Sequence, residues 1–334
     1  MSQTEHIPAR FREDAQRMAA AFRQVQRAII AAHVNLDGDA IGSMGAAGWI
    51  LRALGAECVL YSATGLPPAL AFCPLPGSMH TGLGHLPLAP QWAILLDCGE
   101  AHRLGPELAA ALPGYSGINM DHHLGSNGMG SHANWVEPTA AATAQLMAYV
   151  ALALELPLAG PLAQCLALGL ITDTGGFCHG NTTADIFALC ALLERGGCRL
   201  HEIRQQLDNN WSLGRMRLWG RLMERVRLEQ DGAVAFCSVS LADLRQCQAV
   251  KEDAEGFVEH LRRLTGVQVA ALLREDSPGC CRINLRSHGS TDVQRVAASL
   301  GGGGHRNAAG ASLRFEPLEA ERVLLEAIRR GLAS

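Results

Sequence analysis

The chain has 334 residues, of which 48% are hydrophobic and 18% are charged, and its formal net charge at pH 7 is −4. This length exceeds one ordinary domain, and the balance of apolar and charged residues excludes a chain that is disordered throughout. The slightly acidic charge excludes an overall positive field for holding long nucleic acids and favours small ligands.

The cysteines and the apolar segments indicate the cellular compartment of the protein. Eleven cysteines are scattered without a C-x-x-C pair, which favours a reducing compartment over a disulfide framework or a zinc knuckle. The polar segment 1–14 has no apolar core of a signal peptide. Residues 140–171 are almost wholly apolar, but Glu155, Pro157 and Pro161 interrupt them, so we predict two buried helices instead of a membrane span. We therefore expect a cytoplasmic protein without a membrane partner.

Short apolar runs alternate with helical stretches in the first half of the chain. The predicted strands are 27–33, 57–61, 92–97 and 117–120, and a helix of small residues is predicted over 40–54. This alternation predicts an α/β fold with a mostly parallel sheet flanked by helices.

The second half begins with a more charged, helical stretch and continues as a separate unit. A turn at Asp231-Gly232 precedes predicted strands at 233–240, 267–275 and 281–287, with helices near 255–264 and 292–300. We predict a catalytic domain over 1–195, a helical connector over 196–230 and a smaller C-terminal α/β domain over 231–334.

Acidic residues and histidines recur at four points of the first unit. In an open parallel sheet, ligands bind outside the carboxyl ends of the strands. We expect each of the four points to lie where a strand ends, so that the side chains converge on one cleft. The points are His33 with Asp37 and Asp39, then Asp97, then the run Asp121, His122 and His123, and finally Asp173.

Carboxylates combined with imidazoles suit manganese or magnesium and disfavour a zinc site built on thiolates. Several carboxylates in one cleft would repel one another unless cations lay among them. Two ions about 3.5–4 Å apart could share one carboxylate and act on a phosphorus centre. The four points together predict a two-metal hydrolytic site.

Each motif alone also fits an ordinary structural role. An Asp-Gly-Asp run is commonly a turn, and an aspartate after an apolar strand commonly caps a helix. A calcium loop counted from His33 would need a glutamate where Met44 stands. A catalytic thiol at Cys98 or Cys178 lacks a legible Cys-His-Asx arrangement. The co-occurrence of all four points favours the metal site over these alternatives.

A run of glycines near the C-terminus is the second conspicuous motif. It lacks the Lys-Ser/Thr of a P-loop and follows a predicted helix, whereas a dinucleotide fingerprint follows a strand. A flexible hinge is the alternative interpretation. Glycine backbone can approach a phosphate closely, a histidine can stack on a base, and an arginine can bind a phosphate through two donors. The predicted substrate-binding residues are Arg286, Gly301, Gly302, Gly303, Gly304 and His305.

These motifs resemble those of the DHH phosphoesterase family. The matching segments are HVNLDGDAIGS, ILLDCG, NMDHH and GLITDTGGF, and the tail RINLRS…GGGGHRNAAG resembles the type-1 DHH-associated domain. The motifs are most similar to the subgroup of nano-RNases that also dephosphorylate 3′-phosphoadenosine 5′-phosphate (pAp). One departure is Leu36, where many relatives have proline.

The resemblance implies a role for each matched position. One Mn²⁺ ion would be held by His33, Asp37 and Asp97, and a second by Asp39, Asp97, His122 and Asp173, with Mg²⁺ as the alternative metal. Asp121 would orient a histidine, and His123 would face the substrate phosphate. No serine or cysteine nucleophile would be needed, because water would attack phosphorus.

The expected function is manganese-dependent hydrolysis of short oligonucleotides and pAp. The alternatives are a linear or cyclic dinucleotide phosphodiesterase, a RecJ-like single-strand exonuclease, a family-II inorganic pyrophosphatase and, outside enzymes, a nucleotide sensor. The near-neutral charge and the missing extra oligonucleotide-binding domain disfavour the exonuclease. The glycine run disfavours the pyrophosphatase, and intact ligands disfavour the sensor. The choice between a monomer and a homodimer stays open.

Overall fold

The computed structural model describes residues 3–209, 211–289 and 291–332, and the side chain of His305 lies outside the described part. The chain divides into two compact units, Met1–Asn210 and Trp211–Ser334. Each unit contains a six-stranded sheet with helices around it. The predicted α/β class, with a second and smaller α/β unit, is therefore confirmed.

The first unit is built on a parallel sheet. Its strands are β1 (Arg27–Ala31), β2 (Glu57–Tyr61), β3 (Met79–His80), β4 (Trp92–Leu96), β5 (Ser116–Asp121) and β6 (Ala133–Val136). Its helices are α1 (Ala9–Phe22), α2 (Gly38–Ala53), α3 (Pro106–Ala111), α4 (Thr143–Ala153), α5 (Gly160–Asp173), α6 (Ala184–Arg195) and α7 (Leu200–Asp208). The strand order is β3-β2-β1-β4-β5-β6, and every described pairing is parallel.

Both faces of this sheet are covered, which explains why its strands are continuous apolar runs. Along β1, Ile30 enters the large core formed with the helices, whereas Ile29 enters a smaller core on the opposite face with Leu95 and Leu104. Because β1 lies between β2 and β4, successive strands are added to one side of β1 and then to the other, and a crevice opens at the carboxyl ends of β1 and β4.

The long apolar segment 140–171 forms the two helices α4 and α5, as predicted, and both lie in the large core. No described helix is long and apolar enough to cross a membrane. Asp173 is the last residue of α5, so the expectation that each acidic point follows a strand is wrong for this residue. The helix delivers it to the crevice because α5 packs closely along α2.

Glycines permit this close packing. A Cβ on Gly42 would lie 2.5 Å from the carbonyl oxygen of Cys165, and one on Gly169 would lie 2.6 Å from Oδ1 of Asp39. Both distances are shorter than real contacts of this kind, so the two helices approach each other at a separation that larger side chains would prevent.

The second unit is built on a mixed sheet with the order β11-β12-β10-β9-β8-β7, in which β8 and β9 are parallel. The strands are β7 (Arg227–Glu229), β8 (Val234–Val239), β9 (Val269–Ser277), β10 (Cys280–Ser287), β11 (Gly303–His305) and β12 (Ala308–Leu313). The helices are α8 (Leu213–Glu224), α9 (Leu241–Cys247), α10 (Phe257–Leu261), α11 (Val293–Ser299) and α12 (Pro317–Leu332). The glycine run is partly a strand, since β11 contains Gly303 and Gly304.

Candidate metal centre

The crevice between β1 and β4 collects the predicted acidic residues and histidines. His33 follows β1, Asp97 directly follows β4, and the run 121–123 begins at the end of β5. Asp37 caps α2 by accepting a hydrogen bond from the backbone N–H of Ala40 at 3.0 Å. These connections bring groups that are distant in sequence to one edge of the sheet.

His33 presents one ring nitrogen to two carboxylates. Its Nδ1 donates to the carbonyl oxygen of Val34 at 2.9 Å. Its Nε2 then lies 3.6 Å from Oδ2 of Asp37 and 3.4 Å from Oδ2 of Asp97. The Asp37 side chain is 58% exposed, so this group opens to solvent.

His122 repeats the arrangement with other carboxylates. Its Nδ1 lies 3.3 Å from the carbonyl oxygen of Ala140, to which it donates. Its Nε2 lies 3.2 Å from Oδ2 of Asp173, 3.5 Å from Oδ1 of Asp97 and 3.8 Å from Oδ2 of Asp39. Asp97 thus turns one carboxylate oxygen toward each histidine.

The same side chains form three groups whose candidate donor atoms lie within 4.8 Å of one another. The groups are His33, Asp37 and Asp97; Asp39, His122 and Asp173; and Asp97, His122 and His123. The first group coincides with one predicted ligand set. The second contains three of the four residues of the other predicted set, and the fourth, Asp97, lies beside it.

The donor set fits divalent cations. Because the Nδ1–H of each histidine bonds a backbone carbonyl, Nε2 faces carboxylate oxygens, and that contact is favourable only with a proton or a cation between them. Burial lowers the pKa of His33, but its hydrogen bonds to Asp37 and Asp97 and their charges raise it overall to about 10. Burial and the charges of Asp97 and Asp37 raise the pKa of Asp173 to about 8. Oxygen and imidazole donors of this kind suit Mn²⁺ or Mg²⁺.

Asp39 is held by the start of α4. The backbone N–H groups of Thr143 and Ala144 donate to its Oδ2 at 2.6 Å and its Oδ1 at 2.9 Å. A helix N-terminus favours a carboxylate, but burial and the charges of Asp97 and Asp173 still raise the pKa of Asp39 well above its ordinary value. A cation beside Asp39 would stabilise the ionised carboxylate against burial and against the neighbouring negative charges.

Sequence reasoning missed Thr143 and Asn119. The hydroxyl of Thr143 donates to Oδ1 of Asp97 at 3.1 Å. The buried amide of Asn119 donates to the carbonyl oxygens of Leu95 at 2.9 Å and Cys98 at 3.1 Å, and so holds the turn on which Asp97 lies. In the sequence, Asn119 lies two residues before Asp121, and this closeness to a predicted site residue is the signal by which it could have been found. Thr143 follows Ala142 at the helix start, where the sequence has no capping pattern.

Asp121 bonds the histidines that follow it. Its Oδ1 accepts hydrogen bonds from Nδ1 of His123 at 2.8 Å and from the backbone N–H of His122 at 2.9 Å. Burial raises the pKa of Asp121, but the hydrogen bonds from His123 and Ser126 and the charge of His123 together outweigh this effect, and the pKa is lowered overall. These bonds fix the orientation of the His123 ring.

The predicted substrate residues lie in the second unit. Nε of Arg286 donates to Oε1 of Glu259 at 2.8 Å, and its Nη1 donates to the carbonyl oxygen of Leu285 at 3.0 Å. A cavity of about 370 Å³ lies along residues 301–303 and 310–312 and is lined by Arg282, whereas Arg286 is not among its described lining residues. Gly302 is required there, since a Cβ would lie 2.1 Å from the carbonyl oxygen of Gly310. The predicted contribution of the His305 side chain lies outside the described residues.

Two segments of the chain match known families. Residues 27–170 match the DHH family, N-terminal domain, and residues 234–333 match the DHHA1 domain. The chain belongs to the DHH family of phosphoesterases, as its motifs predicted, and is a phosphoester hydrolase.

Individual relatives cover different shares of the chain. The bifunctional oligoribonuclease and PAP phosphatase NrnA of Thermus thermophilus is 33% identical over 326 residues, which are 97% of this chain and 96% of that protein. The protein of the same name from Mycoplasma genitalium is 24% identical over 194 residues, 58% of this chain and 59% of that protein. Among solved structures, an exopolyphosphatase-related protein from Bacteroides fragilis superposes with a TM-score of 0.86 at 24% identity, covering 95% of this chain and 96% of that chain. This structure supports the fold.

Proposed function

We propose that this protein is a manganese-dependent phosphoesterase that hydrolyses short oligonucleotides and pAp at a site for two ions. The observation that carries the proposal is Asp97, whose two oxygens face two separate groups of histidine and carboxylate donors. A shared carboxylate between two donor groups suits an in-line displacement at phosphorus. The substrate class is supported by the name of the Thermus relative, which is similar over nearly its full length.

The proposed ligands are those that the resemblance implied: His33, Asp37 and Asp97 for one ion, and Asp39, Asp97, His122 and Asp173 for the other. Bound ions supply Lewis acidity, which neutralises phosphate charge and eases the loss of a proton from an attacking water. The chain contributes donors that are already oriented, because backbone carbonyls fix both histidines and the start of α4 fixes Asp39.

His123 has a different role in this proposal, which is to bind a phosphate oxygen of the substrate. The hydrogen bond from its Nδ1 to Asp121 fixes the ring plane and stabilises the positively charged form, and it raises the pKa of His123 against the effect of burial. A cationic imidazole beside the reacting phosphate would stabilise negative charge there.

In the second unit, Arg286 and the glycine run are proposed to bind the part of the nucleotide that does not react. A guanidinium has five N–H donors, so the bonds to Glu259 and Leu285 orient Arg286 and leave capacity for a terminal phosphate. Backbone N–H groups of the glycine run would contribute further donors.

A side-by-side assay tests this function. Purified protein with Mn²⁺ is incubated with pAp, a 5′-labelled dinucleotide, a five-mer, a 24-mer and a cyclic dinucleotide. We expect turnover of pAp and the dinucleotide, loss of turnover with chelator, and a steep fall in kcat/KM beyond about five nucleotides, because the terminal-phosphate contact stays constant while poorly accommodated length grows.

Each other outcome of this assay contradicts a specific part of the proposal. A flat or rising length profile would replace it with the RecJ-like exonuclease, and a preference for the cyclic dinucleotide would replace it with a cyclic dinucleotide phosphodiesterase. Full activity after exhaustive chelation would remove the metal mechanism. No turnover of any substrate would favour the nucleotide sensor.

A further inference from the structure

The turn that follows Asp173 places an aromatic ring in an unusual backbone conformation. Gly175, Gly176 and Phe177 have φ values of 59°, 66° and 70°. This left-handed region suits glycine, but a bulky aromatic residue there is strained, and such strain concentrates at functional sites. The backbone N–H of Phe177 donates to the hydroxyl of the buried Thr174 at 3.1 Å, and this hydrogen bond stabilises the unusual conformation.

A second aromatic ring lies beside it. The rings of Phe177 and Phe187 have centroids 5.8 Å apart and planes inclined by 37°. Phe187 lies on α6 and is 56% exposed, whereas that helix buries Ile186, Leu189 and other apolar residues in the core. The Phe187 ring is therefore not required for packing of the helix.

A cation lies against the turn that carries Phe177. A Cβ on Gly176 would lie 2.3 Å from Nη1 of Arg204, so the guanidinium of this α7 residue rests against the Gly176 backbone. Nε of Arg204 donates to Asp208 at 2.7 Å, and the Arg204 side chain remains 52% exposed. The turn from Asp173 to Phe177 thus connects a candidate metal ligand, an aromatic pair and a guanidinium.

Aromatic rings combined with a nearby cation are the recurring means of holding single-stranded nucleic acids. Bases stack on the rings without sequence preference, and arginine binds the backbone phosphate. A protein partner fits less well, because within the described part of α6 the exposed neighbours of Phe187 are the alanines 184, 188 and 191, and one ring offers far less area than a stable protein interface needs.

We propose that Phe177 and Phe187 form a stacking platform for the base of the nucleotide adjacent to the hydrolysed phosphodiester, and that Arg204 contacts a phosphate of that nucleotide. The inference rests on the proposed function and adds a base-recognition site in the first unit. Stacking accepts any base, so the platform would show little sequence preference. Because it binds a base, it would favour dinucleotides and short oligonucleotides over phosphoesters without a second base.

The test compares one 5′-phosphorylated RNA dinucleotide with two analogues, each lacking the base at one position, using full-length protein and Mn²⁺. We expect one of the two abasic analogues to lower kcat/KM by about 5- to 150-fold, the range for loss of one stacked base. Phe187→Ala should lower kcat/KM for the intact dinucleotide to the abasic level and leave that abasic analogue unaffected. Phe187→Trp should retain the preference, since it retains a stacking surface.

Two further variants separate stacking from other effects. Phe315→Ala removes a comparably exposed phenylalanine (42% exposed) from the second unit and should leave the base preference unchanged. Arg204→Gln should weaken turnover of intact and abasic substrates by the same factor, because a phosphate contact does not depend on the base. Melting curves verify that each variant is folded.

Other outcomes decide against the platform. If the wild-type protein hydrolyses intact and abasic dinucleotides equally well, the platform is overturned while the proposed function stands. If the preference persists in folded Phe187→Ala, the base stacks elsewhere and the assignment is wrong. If the wild-type protein hydrolyses no dinucleotide, the proposed function itself fails and the platform fails with it.

Discussion

Asp97 has a φ of 52°, a left-handed backbone conformation, although its side chain is almost fully buried. Such a conformation costs roughly 1–3 kcal/mol for a residue other than glycine. The buried Asn119 amide stabilises this turn by donating to the carbonyl oxygens of Leu95 and Cys98. The Asp97 backbone N–H donates to the carbonyl oxygen of Met120 at 3.0 Å. The result is one carboxylate whose two oxygens face His33 and His122.

Replacing Asp97 by asparagine should lower kcat/KM by more than about a hundredfold, because loss of even an outer partner of a metal ligand costs about 10- to 100-fold. The shape of the side chain is retained and one buried negative charge is removed, so the variant should fold. Steady-state kinetics and a Mn²⁺ titration measure the effect, with Asp14→Asn on the surface of α1 as control, where the side chain is 40% exposed. A folded variant with near-normal turnover would contradict a shared ligand.

At the scale of single residues, the sequence predicts the candidate metal ligands themselves, because carboxylates and imidazoles in ordered motifs can be recognised from the sequence alone. It does not predict the residues that hold them. Asn119 reads as one polar residue in a strand, and Thr143 as one more small residue in an apolar segment. Their roles depend on contacts over 21 and 46 residues of sequence separation, to Cys98 and Asp97.

The packing of α2 against α5 decides where the two acidic ends of these helices lie. Asp39 is in the first turn of α2 and Asp173 ends α5, and the contact between the helices passes through Gly42 and Gly169. Interiors are packed too densely for the helices to absorb an added methyl group without shifting. The glycines therefore control the spacing of the carboxylates.

Gly169→Ala should impair both stability and catalysis. Its Cβ would lie 2.5 Å from Cβ of Ala144 and 2.6 Å from Oδ1 of Asp39, so the helix start and the carboxylate must move apart. Overpacking typically costs about 1–3 kcal/mol, and we expect kcat/KM to fall by about tenfold or more. Thermal melting and kinetics measure the two effects.

Gly220→Ala is the matched control, because Gly220 lies within α8 and a Cβ there would meet nothing within 4 Å. It should stabilise the protein by about 0.5–1 kcal/mol and leave turnover unchanged. If Gly169→Ala behaves in the same way, the packing argument is wrong.

Elements with strong local signals are predicted well. The strand at 57–61 is found at the same residues, and the interruptions at Glu155 to Pro161 correctly divide the apolar segment into two helices. The rule that ligands follow strands places Asp173 wrongly, because this residue ends the helix α5. The glycine run was not predicted to form a strand, since β11 depends on pairing with β12 and glycine has no strand preference.

The two units have separate hydrophobic cores. The core formed by α1, α2, α4 and α5 belongs to the first unit, and the cores on the two faces of the mixed sheet belong to the second. A ligand that binds only the folded form of one unit stabilises that unit alone.

Calorimetry should therefore resolve two transitions, of which Mn²⁺ raises one. At a Mn²⁺ concentration about a hundredfold above Kd, the added stability is roughly 2.7 kcal/mol, or a shift of about 5–10 °C for a unit of this size. Asp97→Asn should lose most of the shift. Equal shifts of both transitions, or no shift at all, would contradict a metal site confined to the first unit.

The sequence predicts the presence of two units from the recurrence of strand and helix patterns, but the end of the first is not legible. The stretch 182–229 reads as one helical region, whereas the structure has α6 and α7 in the first unit and α8 in the second. Which helix belongs to which core depends on tertiary contacts, for example those of Trp219 in the second unit, and local pattern does not encode them.

The burial of α2 has a consequence for the protein without its metal. Thirteen of its 16 residues are buried, so we expect its hydrogen-bonded amide protons to exchange slowly with solvent. Asp39 lies in the first turn of this buried helix. If an ion is bound beside Asp37, we expect it to leave through the exposed side of that residue while the buried residues behind it keep their positions, so that the protein binds a new ion without refolding.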